Sequence, residues 1–199
     1  MKETIKLGSE VIVTDPSYDT NTWCQAKLKD VYPGNYKVLC IKHDTGDWGV
    51  RNDKLIAIHE IFSYASLKDF FDLNWEVHPN EIGVDSGQAG IFDMADYRKD
   101  GMDIEVPTVA FDGSNFEKFD AILPVDGEGD DWYRKMCKLT LGVEGWGYFS
   151  SGVVARSGFG DGGYTLLVAR ANGKIVGIMI DFQVINVEND YLDNNLEND

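Results

Sequence analysis

The stretch YTLLVARANGKIVGIMIDF, residues 164–182, decides the fold class. Two apolar runs flank the dipeptide Asn172-Gly173, which is the strongest short signal for a tight β-hairpin turn. We therefore predict two antiparallel strands here, at 164–170 and 175–182. A hairpin of this kind is typical of β-rich proteins.

The segment SGFGDGGY, residues 157–164, leads directly into this hairpin. Its glycines at 158, 160 and 163 match the G-x-G-x-x-G spacing of phosphate-binding loops. In a dinucleotide-binding unit, however, such glycines open a helix, and a protein kinase needs many further motifs after them, whereas only 36 residues follow Gly163. The residues favour a turn in which glycine supplies positive φ and Asp161 caps the backbone.

Alternation of apolar and polar residues predicts further half-buried strands along the chain. These lie at 10–14, 23–31, 36–42, 54–62 and 147–156, with two short strands around the turn Ser86-Gly87. The sequence YPGN, 32–35, predicts a hairpin between the second and third of them. Short helices are predicted at 65–73 and 116–122, with one helical turn within 130–141. The fold class is thus α+β and β-rich, with mostly antiparallel sheets arranged as a sandwich or open barrel and a few short helices.

Composition predicts one domain. The chain has 199 residues, 43% of them hydrophobic, which is enough to bury a sizeable core. We expect a single β-rich domain at 1–185 and an acidic C-terminal tail at 186–199. Without a long apolar run or the apolar core of a signal peptide, the sequence favours a cytoplasmic protein that does not associate with membranes.

Charge and cysteine content argue against general nucleic-acid binding and against a metal site built from cysteine and histidine. A formal net charge of -16 argues against general nucleic-acid binding, because such proteins neutralise phosphates with clustered Lys and Arg. It favours solubility, or attraction to a basic protein partner. The three cysteines are widely spaced and form no metal-binding pattern with the three histidines, so we expect reduced thiols and no cofactor.

Three stretches together carry a resemblance: DPSYD at 15–19, VDSGQAGIFD at 84–93 and SGFGDGGY at 157–164. In this order they resemble an uncharacterised family of bacterial and phage proteins that share a DPxY turn, a central VDSG and a GDGxY hairpin followed by a GKIV strand. The resemblance covers about residues 11–182. It implies no particular activity.

Each of the three motifs places an aspartate beside a turn-forming residue, where a β scaffold exposes side chains for binding. We therefore predict that the three turns meet at one end of the sheets and bind a small anionic or nucleotide-like ligand. Tyrosines would stack on a planar ring, Ser86 and Gln88 would hydrogen-bond to it, and amides of the glycine loop would meet its anionic group. The predicted ligand-binding residues are Asp15, Tyr18, Asp85, Ser86, Gln88, Gly160, Asp161 and Tyr164. Three independent structural turns are the alternative.

In a phage protein, such a site would suit capture of a host nucleotide signal as a counter-defence. Two other functions stay open. Asp15, Asp85, Asp93 and Asp161 would together hold Mg²⁺ or Mn²⁺ in a metal-dependent phosphodiesterase. Alternatively, the acidic chain would block a basic partner, as immunity-type proteins do. No catalytic residue is assigned, and the sequence does not decide whether the protein is an enzyme.

Overall fold

The computed structural model describes residues 3–62, 73–99 and 130–184. Within these ranges the chain forms two β-sheets and one α-helix. The first sheet contains β1 (Thr4–Leu7), β4 (Gly34–Asp44), β5 (Val50–His59), β6 (Trp75–Val77), β7 (Ile82–Val84), β11 (Gly162–Ala171) and β12 (Lys174–Asp181). The second contains β2 (Val11–Thr14), β3 (Ala26–Leu28), β8 (Gln88–Asp93), β9 (Trp146–Phe149) and β10 (Gly152–Arg156). The helix is α1 (Asp130–Thr140), and Gly46–Trp48 and Glu60–Phe62 form single 3₁₀ turns.

Neighbouring strands in both sheets run antiparallel. The first sheet has the order β1-β4-β5-β12-β11-β6, and β7 pairs with the start of β11. The second has the order β3-β2-β8-β10-β9. Neither described sheet closes into a barrel, so the structure confirms the β-rich α+β class in the form of two open antiparallel sheets.

The two sheets and the helix form three layers. In β2, the side chains of Val11 and Val13 are buried in the core between the sheets, whereas Ile12 packs in a second core with Trp132 and Met136 of α1. Successive side chains of a strand point to opposite faces, which is why β2 contributes to both cores. The second sheet is therefore the central layer.

The hairpin predicted from residues 164–182 is confirmed. Strands β11 and β12 pair in antiparallel register, with Leu167 opposite Met179. Asn172 and Gly173 have φ values of 50° and 77°. A two-residue turn whose backbone twist matches that of the strands needs positive φ at both positions, and asparagine and glycine adopt it most readily.

The hairpin predicted at YPGN was wrong, whereas the two short strands predicted around Ser86-Gly87 are present as β7 and β8. The segment YPGN does not close a hairpin, because β3 lies in the second sheet and β4 in the first. These two strands do not pair with each other, because β7 pairs with β11 of the first sheet and β8 with β10 of the second. The predicted strand at 147–156 is a hairpin of β9 and β10, and the strand predicted at 23–31 is limited to β3. Turn residues show where the chain reverses, but not which strand becomes its partner.

The helix near residue 130 is longer than the single turn predicted. It covers 11 residues, and Trp132, Met136 and Leu139 lie on its buried side, at the i, i+4, i+7 spacing of one helix face. The helix predicted at 116–122, the tail at 186–199 and nearly all of the helix predicted at 65–73 lie outside the described residues. In the described ranges, no helix is both long and apolar enough to cross a membrane.

Candidate functional site

Strand pairing brings the three sequence motifs to one end of the two sheets. Thr14, at the end of β2, pairs with Gly90 near the start of β8, and Arg156, at the end of β10, pairs with Gln88. In the first sheet, the start of β11 pairs with the end of β7, with Gly162 opposite Val84. Since the motifs occupy these strand ends, their turns are neighbours in space.

The carboxylate of Asp15 joins the first two turns. Its Oδ2 accepts hydrogen bonds from the backbone N–H groups of Asp85 and Ser86 at 2.9 and 2.7 Å. Its Oδ1 accepts from the Ser86 hydroxyl at 2.7 Å and from the Ser17 N–H at 2.8 Å. The side chain is completely buried. Asp15 is therefore a structural link between the turns, with both oxygens already occupied.

Two residues that the sequence reasoning missed support the DPSY turn from outside. The Tyr97 hydroxyl donates to the Tyr18 carbonyl at 2.6 Å. The Arg98 guanidinium donates to the carbonyls of Ser17 and Pro16 at 2.9 and 3.2 Å. Main-chain carbonyls that point away from a sheet need such partners, but neither residue belongs to a recognisable motif.

The glycine loop between β10 and β11 is also tied into this end of the sheets. The Ser157 N–H donates to the Gly87 carbonyl at 3.0 Å, which joins the loop to the VDSG turn. The Gly160 carbonyl accepts from the hydroxyls of Ser157 and Tyr164, each at 2.7 Å. The Gly160 N–H donates to the Ser157 carbonyl at 2.9 Å. That amide is thus engaged within the loop.

A groove of about 330 Å³ opens between these turns, and we call it the motif groove. It is lined by Tyr18, Thr22, Trp23, Cys24, Glu81, Gly83, Val84, Asp85, Gly162 and Gly163. Every one of the three motifs contributes at least one lining residue. Trp23 is 92% exposed, an unusual state for so large an apolar side chain.

Two polar residues that line the motif groove, Tyr18 and Asp85, form a hydrogen-bonded pair. The Tyr18 hydroxyl donates to Oδ2 of Asp85 at 2.6 Å. Burial raises the pKa of Tyr18, and hydrogen bonds to Asp85 and Cys24 raise it further. The phenol therefore remains a donor at neutral pH. Asp85 is exposed, and its Oδ1 accepts no hydrogen bond from the described residues, so this oxygen is free to accept one from a ligand.

Several predicted site residues lie outside the groove. Gln88 is buried beneath α1, where its Oε1 accepts a hydrogen bond from the Thr140 hydroxyl at 2.9 Å. Tyr164 is only 6% exposed, and its ring packs edge-on against Phe182 at a centroid distance of 5.3 Å. The prediction that Tyr164 stacks on a ligand was therefore wrong. The Ser86 hydroxyl is bound to Asp15.

Asp161 is exposed, and its side chain makes no hydrogen bond within the described part of the chain. It does not cap the glycine turn as predicted. Of the eight predicted ligand-binding residues, Tyr18 and Asp85 line the motif groove, and Gly160 lines a second pocket on the other side of the glycine loop.

Trp23 could not be singled out from the sequence. It lies in an irregular segment before β3, and core packing is the default expectation for a scattered tryptophan. Glu81 and Gly83 were missed as well, although they lie just before the VDSG motif. The backbone of Gly83 lies so close to Cys24 that a Cβ there would be 2.7 Å from the cysteine Cβ. Such contacts depend on strands that are distant in sequence.

The four aspartates proposed as metal ligands do not come together. Asp15 uses its oxygens within the turns, and Asp93 accepts hydrogen bonds from the N–H groups of Gly8 and Ala95. Among the described residues, no group of three or more His, Cys, Asp or Glu side chains is placed to hold a metal ion. The geometry therefore lends no support to the metal-dependent phosphodiesterase.

No model of a protein family, no curated protein and no solved structure matches the chain. The resemblance to the bacterial and phage family rests on the three motifs alone.

Proposed function

We propose that this protein binds a small, planar, nucleotide-like ligand in the motif groove, with a base stacked on Trp23 and hydrogen-bonded to Asp85. The observation that carries the proposal is the 92% exposure of Trp23 beside the ordered Tyr18–Asp85 pair. An exposed indole next to a fixed hydrogen-bonding group is a suitable platform for a heterocycle. Stacking of a base on an aromatic side chain contributes about 1–3 kcal/mol.

The charges that line the motif groove indicate which part of a nucleotide the groove would bind. The charged lining residues are Glu81 and Asp85, and none of the ten is basic. Carboxylates accept hydrogen bonds and repel phosphate. The groove therefore suits the N–H edge of a base, and the anionic part of a nucleotide would extend away from it. Guanine presents two adjacent N–H donors, which match the free Oδ1 of Asp85 and the second acceptor site of Oδ2, beside the Tyr18 hydroxyl.

The sharpest test uses nucleosides, which carry the base without the phosphate. Isothermal titration calorimetry would compare adenosine, guanosine, cytidine and uridine with wild-type protein and with Trp23→Ala. We expect saturable binding, strongest for guanosine. Loss of stacking in Trp23→Ala should weaken it by about tenfold, since about 1.4 kcal/mol corresponds to a factor of ten.

Trp48→Ala is the matched control. Trp48 is also strongly exposed, at 71%, but it does not line the motif groove. This variant should bind nucleosides as the wild type does. If no nucleoside binds, or if both tryptophan variants lose affinity equally, the groove is not a base-binding site.

A further inference from the structure

A second pocket, of about 190 Å³, lies on the other side of the glycine loop, and we call it the arginine pocket. It is lined by Val50, Arg51, Asn52, Gly87, Arg156, Ser157, Gly158, Phe159 and Gly160. None of these nine residues is acidic, although the chain contains 34 Asp and Glu against 18 Lys and Arg. Its charge is thus opposite to that of the whole protein.

Backbone segments lie beside both arginine side chains. Nε of Arg51 donates to the Trp48 carbonyl at 3.0 Å. The Arg156 guanidinium lies against Gly145, where a Cβ would be 2.6 Å from its Nη2. Gly145 has a φ of 70°, so glycine is suited to this position for its conformation as well as its size.

A buried asparagine that lines the arginine pocket connects the segments around it. Asn52 is 7% exposed, and its Nδ2 donates to the carbonyls of Gly145 and Arg156 at 2.9 and 3.0 Å. One side chain therefore connects β5 to the two segments that position Arg156. This arrangement reduces the conformational entropy that the pocket would lose when it binds a ligand.

Neither arginine forms an ion pair with a described carboxylate. Arginine stays charged at all physiological pH values, and its planar guanidinium matches the geometry of phosphate oxygens. Arg51 and Arg156 therefore bring two positive charges to one pocket, with no ion-pair partner among the described carboxylates. The chemistry that best neutralises these charges is a compact oxyanion.

The rim of the pocket is apolar. Phe159 is 56% exposed and Val50 is 62% exposed. A volume of about 190 Å³ is smaller than that of most ligand pockets, about 300–1,000 Å³, so it suits a phosphoryl headgroup rather than a whole ligand. A flat group attached to that headgroup would lie over Phe159.

From these observations we propose that the arginine pocket is a phosphoryl-binding site, in which Arg51 and Arg156 clamp a phosphate or diphosphate group. This site is separate from the motif groove and does not depend on base binding there. It also places anion binding on side chains of β5 and β10 instead of on the amides of the glycine loop.

The test is calorimetric titration of the full chain with inorganic pyrophosphate and inorganic phosphate at low ionic strength, because salt weakens such contacts. We expect saturable binding, tighter for pyrophosphate. Arg51→Gln and Arg156→Gln should each weaken it by about tenfold or more, as loss of a charge-assisted hydrogen bond predicts. Arg156→Lys should recover only part of the affinity, since lysine keeps the charge but not the bidentate geometry.

Arg170→Gln is the matched control, because Arg170 is exposed and does not line the arginine pocket. It removes the same charge and should leave binding unchanged. Absence of saturable pyrophosphate binding by the wild type would overturn the proposal, as would equal weakening in Arg170→Gln. Thermal unfolding of each variant without ligand would verify that the fold is intact.

A comparison with ADP distinguishes a free oxyanion from the phosphates of a nucleotide. Tighter binding of ADP than of pyrophosphate, lost in Phe159→Ala, would identify a nucleotide as the source. Equal affinities would identify a free oxyanion. Either result supports the pocket, and nucleoside binding in the motif groove is unaffected by this experiment, so the two proposals fail or succeed separately.

Discussion

Asp15 and Ser86, 71 positions apart in sequence, share two hydrogen bonds of 2.7 Å. One carboxylate oxygen accepts from the Ser86 N–H, and the other accepts from its hydroxyl. Because Asp15 is completely buried, this contact joins the DPSY and VDSG turns away from solvent. The position of Asp85, the residue just before Ser86, follows directly from it.

The first prediction concerns this link. Asp15→Asn would place an amide NH₂ against N–H and O–H donors that now face an oxygen. Leaving buried donors unsatisfied costs about 1–3 kcal/mol each, so we expect a loss of about 3 kcal/mol. In a domain of this size that corresponds to a fall in Tm of about 6–12 °C, which differential scanning calorimetry would measure.

Asp161→Asn is the control for that measurement. Asp161 is exposed and makes no hydrogen bond with the described residues, so its substitution should change stability by less than about 0.5 kcal/mol. A comparable loss in both variants would mean that Asp15 does not have the special role assigned to it.

The second prediction concerns the backbone of the glycine loop. Gly160 has a φ of 103°, and a Cβ there would meet nothing within 4 Å. Gly160→Val should therefore destabilise the protein by about 2 kcal/mol through backbone strain alone, without a steric clash. Urea denaturation would measure the change in the free energy of unfolding.

Gly142→Val is the matched comparison. A Cβ at Gly142 would also meet nothing within 4 Å, but the φ of this residue is not positive. The substitution should therefore be nearly neutral. If the two valine variants lose equal stability, backbone conformation is not what requires glycine at 160.

How far the sequence could predict this structure depended on the range of the interactions. Asn172-Gly173 specifies its own turn, so the β11–β12 hairpin and the β-rich class were predictable from local residues. The pairing of strands that are distant in sequence was not predictable from local residues. The chain passes from one sheet to the other at the Pro-Gly turn at 33–34 and at the turn at 86–87, instead of forming a hairpin there.

In the candidate site, too, local features were predictable and contacts between distant parts of the chain were not. The motifs indicated which turns matter, and Tyr18 and Asp85 were predicted correctly as side chains that lie together. The roles of Asp15, Gln88 and Tyr164 were not predictable, since each depends on burial by distant strands or by α1. Arg51 and Arg156, 105 positions apart, were beyond any local pattern.

The third prediction concerns alkaline pH. Burial raises the pKa of the Cys40 thiol from 9.0 to about 12. In the unfolded chain the thiol ionises near its ordinary value, whereas in the folded protein it keeps its proton. The stabilising contribution is therefore complete below about pH 9 and is lost as the pH rises towards about 12.

The free energy of unfolding should accordingly fall by about 2 kcal/mol from this group between about pH 9 and about pH 11, given about 1.4 kcal/mol per pKa unit. Urea denaturation across this range would measure it. Cys40→Val removes the titrating group while retaining similar volume, so its stability should decline less steeply. Identical slopes for the two proteins would contradict the assignment.

The fourth prediction concerns the hydrogen bonds by which the motif groove would distinguish one base from another. Inosine differs from guanosine by the loss of one amino group, so it offers only one N–H donor to the Asp85 carboxylate. A hydrogen bond to a charged group contributes about 1.5–3 kcal/mol, and guanosine should therefore bind at least about tenfold more tightly. Asp85→Asn should abolish the difference, because the amide cannot accept at both of its atoms.

Tyr18→Phe tests whether Tyr18 only orients the Asp85 carboxylate or also contacts the base directly. It removes the 2.6 Å hydrogen bond that fixes Asp85 but leaves the carboxylate present. We expect weaker guanosine binding, by about threefold to tenfold, with the preference over inosine retained. If the preference disappears, Tyr18 itself contacts the base. If neither affinity nor preference changes, the pair is not part of the recognition surface, and Glu81 becomes the carboxylate to test next.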